Sequence, residues 1–420
     1  MKKFAKLTAM LLALCLCVSM AACSGAPAPA SSAGEAPPSS AAEIPPVVKV
    51  AVAFPLSGAS AELGMMGRDG VELGIKRIND SGGIKALGGA KIEMVTADTT
   101  SDPAQAKTVV ERLVADPDIM CFFGVGSSAL MMPLLPVLEK NEVPAITNCG
   151  SQNITNQGYK YVFQVPHSVN QGGENVMAFL NWLNTEQGYD YTKVGLVYEN
   201  SSFGLDMAEG SRDEAEELGL DIVFDESFPP GLTDASALIT AMKNSGASVF
   251  IPATYASESK LLIETMNNLD YHPLIIGPVA WPSLAEGLGD AVNGIISTGS
   301  WSWNTKNIAE NPEYSAIVKE FEETYGYFMT EQSGPNFVAT QILQAALEAS
   351  AATTRQDLRN AISAVKLENS MISPGPLEFD ENGVNIHARA VCHQWQDGVP
   401  CAIYPVEYAV TEFIDPSSMK

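Results

Sequence analysis

Val47-Val48-Lys49-Val50-Ala51-Val52-Ala53-Phe54, closed by Pro55-Leu56-Ser57-Gly58, is the stretch from which the fold is read. Only Lys49 interrupts the apolar run, so it reads as a strand covered on both faces. Helical spacing over 65–79 follows and ends at Ser81-Gly82-Gly83. A second strand is expected over 91–97. Asp102-Pro103 then opens a helix to Val114, with Asp as N-cap and Pro in the first turn. Strand 119–123, helix 128–139 and strand 143–147 continue the alternation. Such alternation with short loops calls for a parallel sheet with helices on both faces.

The pattern then repeats. Helices over 174–184, 204–218, 235–244 and 258–268 lead to strands over 194–198, 222–228, 248–252 and 274–276. Two α/β units in tandem are therefore expected, alike in architecture without a close sequence repeat. Helices over 312–325, 336–351 and 354–364 come next. The end is β-rich, from Leu377 to a hairpin over 388–404 that turns at Asp397-Gly398. Open sheets of this kind bind ligands outside the carboxyl ends of their strands. Two of them facing each other enclose a cleft.

Upstream of Val47 the composition changes. Lys2, Lys3 and Lys6 precede an apolar run from Leu7 to Val18, followed by Ser19-Met20-Ala21-Ala22-Cys23. This is the pattern of an export signal, too short to span a bilayer as a mature helix. Cys23 after Ala21-Ala22 resembles the lipobox of bacterial lipoproteins, in which the Cys is lipidated. Met20 stands where Leu is usual. Residues 24–46 are almost all Ala, Pro, Ser and Gly, which cannot bury a core. The expectation is a signal peptide at 1–22, then a lipid on Cys23 and a flexible linker over 23–46. The body is then tethered to the cell membrane on its extracytoplasmic face. A free secreted form is the alternative.

The remainder, about 370 residues, is long enough for two domains with large cores. Formal charge is −25, and no Lys/Arg cluster can follow a phosphate backbone, which excludes nucleic acid as a partner. Beyond Cys15, Cys17 and Cys23 the cysteines are Cys121, Cys149, Cys392 and Cys401. Cys121 reads as a buried small hydrophobe. Cys392 and Cys401 lie diagonally across the hairpin, which leaves open a disulfide or two free thiols.

Three loops fall on the cleft side: Phe54-Pro55-Leu56-Ser57-Gly58, Gly124-Val125-Gly126-Ser127-Ser128 and Thr147-Asn148-Cys149-Gly150-Ser151. N–H groups at a helix start beside a hydroxyl suit a carboxylate, and Ser128 and Ser151 each offer both. The other reading is that both hydroxyls only cap helices. Gly124-x-Gly126-x-x-Ala129 fits a loose dinucleotide fingerprint. However, it follows the third strand, and no acidic residue stands about twenty positions on. There is no Gly-x-Ser-x-Gly elbow. His167, His272, His387 and His393 form no pair at metal-ligand spacing. No catalytic residue, metal or cofactor is expected, and the chain is not read as an enzyme.

Several motifs carry a family resemblance. They are Val48 through Gly58, Ile78-Asn79-Asp80-Ser81-Gly82-Gly83-Ile84, and Asp98 with Asp102-Pro103-x-Gln105-Ala106. Gly124-x-x-Ser127-Ser128, Val143-Pro144-Ala145-Ile146-Thr147, Phe203-Gly204 and Gly375-Pro376-Leu377-x-Phe379-Asp380-x-x-Gly383 follow. In order and spacing they resemble the branched-chain amino-acid (leucine/isoleucine/valine) type of ABC-transporter substrate-binding proteins, in lipoprotein form. The resemblance covers nearly all of 47–405. It implies the type I periplasmic-binding-protein fold, two doubly wound parallel-sheet α/β lobes joined by three crossovers. These are expected near Val165, Ser300 and Pro374. Lobe 1 is then 47–165 plus 301–374, lobe 2 is 166–300 plus 375–410, and 411–420 is a C-terminal tail.

The resemblance also implies a role: binding a small branched-chain or other hydrophobic amino acid between the lobes and delivering it to an ABC permease. It puts the ligand carboxylate on Ser128 and the Ser151 hydroxyl, with Ser127 and Gly150 in the same loops. It puts the α-ammonium on the Cys149 carbonyl. Phe203 and Tyr255 take the positions of aromatics that close over the ligand, and Leu63 stands where some members have an aromatic. One position departs. Members that bind amino acids carry an acid where this chain has Val279. Either Glu199 or Glu258 reaches in instead, or the ligand is an aromatic, aliphatic or 2-oxo acid without an ammonium. Trp281 then serves as a stacking wall, or only packs beside Pro282. Trp301 and Trp303 line the cleft mouth or pack at the hinge. A ligand sensor acting through a partner is a further alternative on the same fold.

Overall fold

The computed structural model describes residues 47–277, 279–372 and 376–419. The expected signal, Cys23 and the linker lie outside the described residues, as does Pro374, where the third crossover was placed. No described helix is long and apolar enough to cross a membrane.

Two sheets organise the chain. The first has five parallel strands: β1 (Val47–Phe54), β2 (Lys91–Asp98), β3 (Ile119–Gly124), β4 (Ala145–Thr147) and β5 (Val162–Gln164). Their order is β2-β1-β3-β4-β5. The second is built on β6 (Lys193–Glu199), β7 (Asp221–Phe228), β8 (Val249–Ala253), β9 (Leu274–Gly277) and β10 (Ile296–Gly299). A short pair, β11 (Lys366–Leu367) and β12 (Leu377–Glu378), stands apart. The hairpin β13 (Val391–Gln396) and β14 (Val399–Tyr404) then adds an antiparallel edge to the second sheet. That sheet runs β14-β13-β10-β9-β8-β6-β7. Asp397 and Gly398 both have positive φ, as a two-residue hairpin turn needs.

Continuous apolar strands bury both faces of each sheet. Val48, Val50 and Val52 of β1 point into one core, with Phe337, Ile342 and Leu343 of the helix Ser333–Ser350. Ala51 and Ala53 point into another, with Val110 and Leu138. The late helices thus cover the first sheet, although they follow the second in sequence. In the second sheet, Val194 and Leu196 face a core with Phe179 and Leu180. Val197 faces a core with Trp281 and Trp395.

The expected helix over 128–139 is interrupted. Ser128–Met131 is α-helical, Met132–Leu134 is a 3-10 turn, and Leu135–Lys140 is α-helical again. Pro133 and Pro136 each remove a helical N–H.

The chain crosses between the sheets after Gln164 of β5 and again after Gly299 of β10. The third return differs from expectation. Leu377, Phe379 and Ala388 pack in the core of the first lobe, and Gln164 of β5 bridges to Val384. The segment 375–410 is therefore divided, and the return to the second sheet falls between Ala388 and Val391. The final residues are fastened to the second lobe: Phe413 packs on its core, and Gln394 Nε2 donates to the Ile414 carbonyl at 2.7 Å. The four described cysteines are free thiols. Cys401 lies opposite Gln394, and Cys392 opposite Tyr404.

Candidate functional site

Strand order decides where a ligand can enter. β1 lies between β2 and β3, and β6 lies between β7 and β8. The loops on either side of β1 and of β6 therefore diverge at the carboxyl ends of the strands, where doubly wound sheets open a crevice. The two openings share one cavity of about 660 Å³, counting solvent at its mouth.

The first lobe lines it with Gly126 and Ser128 after β3, and with Asn148 and Gly150 after β4. Ser128 Oγ accepts from the Ser151 N–H at 3.2 Å. A hydroxyl has one proton and two lone pairs, so that proton remains free to donate. The Ser128 N–H, at the first turn of a helix, has no intrahelical acceptor. Two donors are thus available to an anionic oxygen.

The second lobe supplies Phe203 after β6, Tyr255 after β8, and Val279 and Trp281 after β9. Phe203 and Tyr255 come from opposite sides of the switch point. Their ring centroids stand 5.3 Å apart at 32°. Trp281 does what both expectations asked: it packs in the second lobe's core at 1 % exposure and also lines the cavity. Its Nε1 has no partner among the described residues. Trp301 is packed inside the first lobe, with Nε1 donating to the Met329 carbonyl at 3.0 Å.

Three expected residues are not on the cavity wall. Ser127 lies against the Tyr255 hydroxyl, and burial pushes that phenol well up. Cys149 is buried beside Thr147, and its thiol is pushed up to about 11. Ser151 is a correction. It is fully buried and its single hydroxyl proton goes to Asp206, so no donor remains for a ligand. Asp206, on the helix Ser202–Leu218, also accepts from Gln152 N at 3.2 Å and Asn153 Nδ2 at 3.3 Å. Glu199 and Glu258 are buried and do not line the cavity.

Sequence reasoning missed the hinge end of the cavity, where His167, Ser300, Glu331 and Gln332 meet Asn148. Glu331 accepts from the N–H groups of Ser300 at 3.1 Å and Trp301 at 2.6 Å. Burial pushes its carboxyl up to about 8, against the pull of these two donors. Asn148 Nδ2 donates to the Glu331 carbonyl at 2.9 Å and to Gln332 Oε1 at 3.2 Å. His167 N donates to Ser300 Oγ at 3.0 Å, and its Nδ1 meets the Ser168 carbonyl at 2.7 Å. No motif marks these residues. The nearest signal was the glutamate itself, lying just before a helix that covers the first sheet.

The family described as periplasmic binding protein matches residues 47–398. The Leu/Ile/Val-binding protein homolog 8 of Brucella abortus is 27% identical over 378 residues, covering 87% of this chain and 92% of that protein. Two solved structures share the fold. The branched-chain amino acid transporter substrate binding protein LivJ of Streptococcus pneumoniae, in complex with isoleucine, superposes with a TM-score of 0.74. It is 20% identical and covers 84% of this chain and 97% of that one. A solute binding protein of an R. palustris ABC transporter, in complex with benzoate, gives a TM-score of 0.74 at 18% identity. It covers 87% of this chain and 98% of that one.

Proposed function

Because the chain belongs to the periplasmic binding protein family, an extracytoplasmic family of ligand binders and not of enzymes, we propose that it is the solute-binding component of an ABC importer. It holds a small amino acid, branched-chain or otherwise hydrophobic, between its lobes and delivers it to a membrane permease. The observation that carries this reading is the cavity at the facing switch points, with donors of Ser128 on one side and Phe203, Tyr255 and Trp281 on the other. The ligand carboxylate sits at the Ser128 N–H and hydroxyl, beside Gly150. The hydrophobic side chain lies among the aromatic rings. Closing the lobes adds contacts from both sides, so ligand selects the closed state. Cys23 carries a lipid that keeps the protein at the outer face of the membrane.

A second reading has a specific observation in its favour. Val279 lines the cavity where an acid was expected, and an aromatic wall suits an aryl or aliphatic carboxylate without an ammonium. A thermal-shift screen of the purified protein tests the shared reading, with each hydrophobic amino acid paired with its deaminated acid. Ligand that binds only the native state raises the melting temperature. A shift with at least one small carboxylate is expected. No shift across the whole panel overturns the reading.

A further inference from the structure

The cavity has an unusual balance of charge. Among its described lining residues there is no Lys or Arg, and the only acidic side chain is Glu331. Its other titratable groups are His167 and Tyr255, and burial pushes the imidazole down and the phenol up. Both are therefore neutral near pH 7. A ligand that is only a carboxylate meets no cation here, and it meets a second carboxyl.

Two acceptors at the hinge end have no donor among the described residues, while the Ser300 hydroxyl, which accepts from His167 N, keeps its proton to give. Asn148 is oriented by the Glu331 carbonyl, which can only accept, so the amide nitrogen faces it and Oδ1 faces elsewhere. Oδ1 has no partner. His167 is fixed in the same way: Nδ1 carries the proton toward the Ser168 carbonyl, leaving Nε2 as an acceptor, also without a partner among the described residues. These acceptors stand in one connected cluster. Ser300 Oγ accepts from His167 N, Ser300 N donates to Glu331, and Asn148 holds the Glu331 carbonyl. Two buried acceptors without donors beside a carboxylate form an incomplete set, and a group with several N–H donors and a positive charge completes it.

We propose that Glu331, with Asn148 and His167 beside it, is the ammonium subsite of this cleft and replaces the acid missing at Val279. The proposal rests on the binding-protein reading above and narrows its ligand to a zwitterionic α-amino acid. The carboxylate lies at Ser128 and the ammonium at the hinge. Glu331 thereby becomes the residue that separates amino acids from their deaminated counterparts. Its two backbone donors hold the carboxylate oxygens in place, and the ligand supplies the counter-charge. A deaminated ligand gains no counter-charge from Glu331, and the acidic body disfavours an anion at long range.

The test compares each amino acid with its deaminated acid by titration calorimetry, on the wild type and on Glu331→Gln. The wild type is expected to bind an amino acid and to prefer it over the deaminated partner. Glu331→Gln is expected to weaken the amino acid roughly 100-fold while changing the deaminated acid little. A merely structural Glu331, holding Ser300 and Trp301, would weaken both ligands alike, which overturns the proposal. So does a wild type that binds only deaminated acids, an outcome that leaves the carrier reading standing. Binding of neither class overturns both. If Glu331→Gln does not fold, the wild type decides alone, in two buffers of different ionisation enthalpy at pH 7. An amino acid that binds at Glu331 releases about one proton, because a carboxyl that burial keeps protonated must ionise to pair with the ammonium. No proton release overturns the subsite.

Discussion

Ser128 and Ser151 occupy like positions after neighbouring strands, yet one carboxylate from the other lobe gives them different duties. Asp206 takes the hydroxyl proton of Ser151, while that of Ser128 stays free. Ser128→Ala is therefore expected to weaken ligand binding by about 1.5–3 kcal/mol, the worth of a hydrogen bond to a charged group. Ser151→Ala should act mainly through the packing of the lobes, speeding the opening of the closed form rather than removing a ligand contact. Titration of both variants with one ligand checks this, and equal direct losses would restore Ser151 to the site. Glu331 adds a pH dependence. Burial holds its carboxyl at about 8, so below that pH an ammonium ligand must displace a proton. Affinity for an amino acid then rises with pH by up to about tenfold per unit toward pH 8 and flattens above. A flat profile from pH 6 to 8 would contradict the pairing. The sequence showed the absence at Val279 because a family position exposed it. It did not show Glu331, whose role depends on N–H groups thirty residues away that only the second crossover brings near.

At the scale of elements, Phe203 rides on a helix that packs on its neighbour through glycine. Gly173 of the helix Val169–Glu186 faces the helix Ser202–Leu218 so closely that a Cβ would lie 2.4 Å from the Met207 carbonyl oxygen. A Cβ on Gly210 would lie 2.1 Å from the Asn170 oxygen. Backbone cannot yield as a side-chain tip does. Gly210→Ala is expected to push the helices apart and cost about 1–3 kcal/mol of stability, measured by urea unfolding. Phe203, Asp206 and Met207 belong to the displaced helix, so ligand affinity should fall with stability. Affinity at wild-type level in a destabilised variant would separate this helix from the site. Long elements were legible because their periodicity runs over many residues: the strand at 47–54 and the helix from Pro103 to Val114 stand where the pattern put them, and the strand expected over 222–228 begins one residue earlier, at Asp221. The three residues of β5 and four of β10 were not, since a short apolar run has no period to read. Pro133 and Pro136, which split 128–139, stand in the sequence as helix breakers.

Across the whole molecule, the lobes were legible from the alternation of strands and helices, whereas what holds them together was not. Two carboxylates span the cleft on different segments. Glu62, at the start of the helix Ala61–Asp80 on the first lobe, accepts from Ser283 N at 3.3 Å and Ser283 Oγ at 2.7 Å on the second. Asp206 of the second lobe accepts from Ser151, Gln152 and Asn153 of the first. Leu63 and Met66 pack in the core that contains Trp281, so apolar contact joins the same side. None of these bonds involves a cavity-lining partner of Glu62 or Asp206, and their geometry requires the lobes to be together. They therefore belong to the closed state and add to whatever the ligand contributes there. Removing both carboxylates, Glu62→Ala with Asp206→Ala, takes away several bonds worth about 0.5–1.5 kcal/mol each in net terms. Ligand affinity should fall roughly 100-fold, almost all in a faster dissociation rate, because encounter occurs with the open form. Small-angle scattering should show the double variant more extended than the wild type at subsaturating ligand and equally compact at saturation. If instead the association rate falls and dissociation is unchanged, the two carboxylates shape the open cleft and do not hold the closed one.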